Sequence, residues 1–75
     1  MNETIGRNIK ILREANNMSQ QELAEKLFIT RQSVSKWESG MVVPDIEKLQ
    51  MISKLFKIKI DDLMNDNFNY HKKLQ

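Results

Sequence analysis

Seventy-five residues, 40% of them hydrophobic and 29% charged, fit one small globular unit and exclude an intrinsically disordered chain. The absence of cysteine excludes a disulfide scaffold and a thiolate metal site, and fits a cytoplasmic setting. A net charge of only +2 does not announce a nucleic-acid partner by itself, so the placement of the charge has to decide.

Residues 2–16 read as the first helix, capped by Asn2 or Thr4. Ile5, Ile9 and Leu12 recur at i, i+4 and i+7 and make one buried stripe. Arg7 and Lys10 lie off that stripe. Ile11 lies off it too, either as plain surface or as a partner contact. Ser19 followed three residues later by Glu22 is a capping box, with Met18 and Leu23 at the positions of a hydrophobic staple. A second helix therefore starts here, and Leu23, Ala24 and Leu27 form its apolar edge. Thr30 is a further N-cap, with Ile29 and Val34 as its staple. Two caps one short helix apart require brief helices with a turn at Phe28-Ile29, as in a helix-turn-helix.

On a helical wheel of residues 31–39, Val34 and Trp37 fall together and point at the core. Gln32, Ser35, Lys36 and Ser39 share the opposite side, with Arg31 at its border. This face has no large apolar residue and no acid. Arg31 and Lys36 can donate to guanine O6 and N7, Gln32 can bond adenine bidentately, and Ser35 is short enough to let the helix approach base edges in the major groove. Glu38 falls beside the apolar edge. Gly40 ends the helix, and Pro44-Asp45 starts the next, with Asp45 as N-cap and Glu47 in the favourable first turn. Ile46, Leu49, Ile52 and Phe56 line one side of it and read as core. Ile60, Leu63 and Met64 form a short fifth helix.

These segments together resemble the lambda-repressor/Cro-like helix-turn-helix, also called the xenobiotic-response-element type. The resemblance runs roughly from Ile5 to Met64. It rests on Ile5-Gly6 with Ile9, Leu12 and Arg13; Met18-Ser19-Gln20 with Glu22-Leu23-Ala24; Thr30 through Gly40; Pro44-Asp45; and the Ile58 to Met64 end. It implies an all-α fold, a compact five-helix bundle. It implies that the front of the first helix approaches phosphate, through Lys10 above all, and that Gln20 contacts phosphate or buttresses the first recognition residue. It also implies a structural salt bridge between Arg13 and Glu38, which explains an acid close to a polyanion. Asn17, Phe28 and Lys57 stand where the family favours glycine. At Phe28 this implies either strain at a positive φ or a different turn, with the ring over the edge of the core or holding a partner. Met41-Val42-Val43 replaces a loop that often carries a phosphate-gripping cation, and such a loop forms a dimer contact in some relatives.

The resulting expectation is a DNA-binding domain over residues 1–65 and a tail, linker or dimer segment over 66–75. Arg31, Gln32, Ser35 and Lys36 read bases in double-stranded DNA. Lys10, Ser19, Gln20, Thr30, Ser33 and Ser39 lie at the backbone. The protein acts as a transcriptional regulator, a repressor, and as a homodimer on a two-fold symmetric operator. No catalytic residues, metal or cofactor are implied: His71 is the single histidine, and Asp61, Asp62 and Asp66 do not follow a calcium-loop spacing. No apolar run approaches the roughly 20 residues of a membrane span. Phe68, Tyr70 and Leu74 are apolar without a firm helical spacing. The rival expectation is a protein-interaction module on the same fold, such as an antitoxin or scaffold, motivated by Ile11, Phe28 and Met41-Val42-Val43.

Overall fold

The three middle helices are started by capping side chains. A computed structural model describes residues 2–68, and among these there are five helices and no strand: α1 (Asn2–Ala15), α2 (Gln20–Leu27), α3 (Arg31–Glu38), α4 (Ile46–Phe56) and α5 (Ile60–Leu63). The Ser19 hydroxyl accepts from the Glu22 amide at 3.0 Å while the Glu22 carboxylate accepts from the Ser19 amide at 2.8 Å, a complete capping box. That bond to the Ser19 backbone holds the Glu22 carboxyl below its ordinary 4.5. Thr30 caps α3 by accepting from the Ser33 amide, and Asp45 caps α4 by accepting from the Lys48 amide.

The ends of α1 to α4 share one device. Asn17, Phe28, Gly40 and Lys57 all take left-handed backbone, with φ of 55°, 59°, 81° and 57°. After α3 the Gly40 amide donates to the Trp37 carbonyl and the Met41 amide to the Lys36 carbonyl, the paired bonds of a Schellman stop. After α2 the Phe28 and Ile29 amides do the same to Glu25 and Ala24. Phe28 thus takes the positive φ that is one of its two expected conformations, and the expectation of a ring over the edge of the core is corrected. At the left-handed position its ring is thrown outward and is 86% exposed, while Ile29, one residue on, packs back against the core.

Ile9, Leu12, Leu23, Ala24, Leu27, Val34, Ile52 and Leu63 are fully or almost fully buried, and Ile5, Trp37, Leu49 and Phe56 complete the core. Burying such side chains contributes about 1.5–3 kcal/mol each before entropy is subtracted. Ile46 does not join them; it is 62% exposed, and its neighbours Asp45 and Glu47 at the start of α4 are exposed too. Met64 likewise falls just past the end of α5 and is exposed. No described helix is long and apolar enough to cross a membrane.

α3 packs chiefly against α1 and α2. Gly6 allows the closest approach: a Cβ on residue 6 would collide with the Trp37 carbonyl oxygen. One polar side chain missing from the expected core closes the other side of α1. Asn8 is fully buried, and its amide donates at 2.9 Å to the carbonyls of both Leu63 and Asn65. Arg7 donates to the Asn8 oxygen and to the Asp66 carbonyl, and the Thr4 hydroxyl donates to the Asp66 carboxylate. Phe68 packs against the core. The chain therefore stays on the bundle past residue 65. Tyr70, His71 and Leu74 lie outside the described residues.

Candidate functional site

The outer side of α3 is assembled by what its inner side does. Val34 and Trp37 anchor the helix, so the residues opposite them on the wheel face away. Arg31, Gln32 and Lys36 are exposed, and their side chains have no partner among the described residues. Ser35 is half-buried among them, leaving a low point in the surface. Four helices carry an acid in the first turn; α3 carries none. The positive end of its dipole, with the leading amides that the Thr30 cap does not take, is therefore left for an external anion.

Around this face the hydroxyls are mostly occupied. Thr30 Oγ1 and Ser33 Oγ lie 3.1 Å apart and share a bond, in addition to the cap. Ser39 donates to the Lys36 carbonyl at 3.0 Å. Ser19 uses its oxygen as an acceptor in the cap, so its O–H remains free to donate outward. Lys10 is exposed on α1 and unpaired among the described residues.

Behind the face lies a polar cluster. Arg13 Nε and Nη2 donate to the two oxygens of Glu38 at 2.7 and 3.0 Å, a bidentate pair, and Arg13 Nη1 donates to the Met18 carbonyl at 2.8 Å. The Glu38 side chain is 5% exposed. The hydrogen bonds to Glu38 raise the Arg13 pKa, so the guanidinium stays charged at every working pH. Arg13 is consumed inside the protein, in the structural role the resemblance implies. Gln20 is engaged here as well: its Nε2 donates to Glu38 Oε1 at 3.0 Å. No buried side-chain polar atom among the described residues lacks a partner.

Two contributors were missed at the level of sequence. Asn8 occupies the i+3 position of the Ile5 stripe, so its placement was available while its residue type argued against burial. Arg7, expected on a solvated face or near phosphate, is turned toward the carbonyls of residues 65 and 66. Among the described residues no group of His, Cys, Asp or Glu is placed to hold a metal ion.

Residues 9–63 match the Helix-turn-helix family. The chain is 46% identical over 54 residues to the HTH-type transcriptional activator BcrR of Enterococcus faecalis, covering 72% of this chain and 26% of that protein. It is 34% identical over 55 residues to an uncharacterized HTH-type transcriptional regulator, MJ0272, of Methanocaldococcus jannaschii, covering 73% of this chain and 83% of that one. It is 32% identical over 63 residues to the antitoxin PezA of Streptococcus pneumoniae, covering 84% of this chain and 40% of that protein. The chain thus spans about a quarter of the Enterococcus protein's length. A solution structure of the SOS-response transcriptional repressor LexA from Eubacterium rectale shares the fold, with a TM-score of 0.84 at 20% identity, over 99% of this chain and 79% of that one.

Proposed function

Because the chain belongs to the helix-turn-helix family, whose members act as non-enzymatic DNA-binding regulators of transcription, we propose that it binds a specific double-stranded DNA site and regulates transcription from it. One observation carries the reading. Among the described residues Arg31, Gln32 and Lys36 stand exposed and uncommitted on the side of α3 turned away from Trp37, and α3 is the described helix without an acid in its first turn. Arg31 and Lys36 suit guanine and Gln32 suits adenine, while Ser35 keeps the approach close. Lys10 and the Ser19 hydroxyl, with Thr30, Ser33 and Ser39 at the edges of α3, flank this face where a duplex backbone would pass. A bidentate base contact is worth about 1–3 kcal/mol of discrimination.

One module of this size has a small interface, and a homodimer on a two-fold symmetric operator restores affinity, with half-sites roughly 34–36 Å apart. The exposed Met41, Val42 and Val43 immediately after α3 are where such a contact would form. Repression in the cytoplasm, by covering a promoter that polymerase would otherwise enter, is the action proposed; the activator name is that of the Enterococcus protein, of which the match covers 26%. The test is selection of bound sites from a random duplex pool, with sedimentation of the complex. An enriched two-fold motif bound by two chains is expected; no enrichment over the starting pool would remove the reading.

The similarity to an antitoxin, together with the exposed Phe28 and Met41-Val42-Val43, favours a second reading as a protein-interaction module. Binding to a protein partner that is insensitive to salt, with no shift of random duplex DNA, would favour it over the first.

A further inference from the structure

We propose that Gln20 serves recognition from inside the protein: it is a positioning residue that latches the start of α2 to the end of α3 through Glu38, and it is not a phosphate contact. The proposal rests on α3 being the helix that reads DNA. Gln20 is half-buried, and its Nε2 lies 3.0 Å from Glu38 Oε1. A carboxylate offers only acceptors, so the amide nitrogen must be the atom that faces it, and a bond to a charged acceptor is stronger than a neutral one. The same oxygen takes Arg13 Nη2, and the other takes Arg13 Nε. Arg13 continues to the Met18 carbonyl, immediately before the Ser19 cap.

The consequence is geometric. α2 and α3 are joined covalently through Phe28–Thr30 and packed together in the core, a contact that is apolar and non-directional. The Gln20–Glu38 bond adds a directional tie, which sharpens the angle between the two helices. Glu38 is the last residue of α3, directly after Trp37, so its position sets the last turn and the placement of Lys36. Turning Gln20 outward to a phosphate would give up a charge-assisted bond and leave a nearly buried carboxylate with Arg13 alone. The positioning role of the guanidinium pair is thus shared by a neutral side chain on the third helix of the junction.

The test uses the Gln20 side-chain amide as a nuclear magnetic resonance probe, read in the free protein and again with duplex DNA. The resonance is expected to shift in Glu38→Gln and to stay in place when DNA is added to the wild type. Gln20→Met keeps the bulk and removes the donor. It should move the Trp37 emission of the free protein and lower discrimination between the selected site and random duplex by about threefold to tenfold, the lower part of the range for coupled neighbours. Its affinity for random duplex should not change. A Gln20 resonance indifferent to Glu38→Gln would overturn the latch. So would a DNA-induced shift joined to equal losses by Gln20→Met on both duplexes. If the latch is seen in the free protein but no duplex is bound, the DNA reading fails and the recognition role fails with it.

Discussion

On the inner side of α3, Val34, Trp37 and the Glu38 side chain are enclosed, and both Glu38 carboxylate oxygens are bonded; on the outer side, Arg31, Gln32 and Lys36 have no described partner. Eight residues thus hold two different kinds of specification. The inner side is determined by packing and by one carboxylate with three donors. The outer side is determined by no contact among the described residues, which is the condition for its residues to be set by an external surface. A substitution on one side should therefore change stability, and a substitution on the other should change binding alone.

The sharpest separation comes from Arg13→Ala. Removing one partner of a buried pair costs about 3–5 kcal/mol, and the variant should show this as a large drop in the urea midpoint. Exchanging the two residues, Arg13→Glu with Glu38→Arg, should recover much of that stability. A stable Arg13→Ala that loses only DNA affinity would mean the inner side had been misassigned.

Gly6→Ala comes next. The added methyl meets the Trp37 carbonyl, so α1 and α3 must separate, at about 3 kcal/mol, the upper end for overpacking. Calorimetry should show a lower Tm, and any loss of binding should follow the fraction folded.

Lys10→Ala tests the other side of the comparison at a smaller scale. The unfolding midpoint should not move, affinity should fall alike on all sequences, and the salt slope should drop by about 1. A change in base preference would put Lys10 among the readers instead of at the backbone.

The smallest effect concerns the turn between the helices. A non-glycine residue held left-handed costs about 1–2 kcal/mol, and part of that returns as chain entropy when glycine replaces it. Phe28→Gly should therefore stabilise by about 0.5–1 kcal/mol and leave DNA affinity alone. Loss of a partner's binding in that variant would instead give the exposed ring a function.

What was legible in the sequence follows the same division. The caps at Ser19, Thr30 and Asp45 could be read because a short polar side chain before an apolar repeat has one efficient use. Val34 and Trp37 could be read because period and bulk agreed. The Arg13–Glu38 pair was available through the family resemblance and not through spacing, since it links residues 25 apart in sequence. Asn8 escaped because its partners are backbone carbonyls near the far end of the chain, which carry no residue-specific signal. Ile46 escaped because periodicity marks a face without saying where the bundle ends. The direction of the Phe28 ring followed from its backbone angle, which residue type alone did not determine.

The central claim is tested most directly by measuring Lys36→Ala against the wild type, side by side, on the selected site and on random duplex. The account predicts an unchanged unfolding midpoint, a loss of about 1–3 kcal/mol on the selected site, and a blurred preference at one base pair. Unchanged affinity and unchanged preference on both duplexes would contradict it.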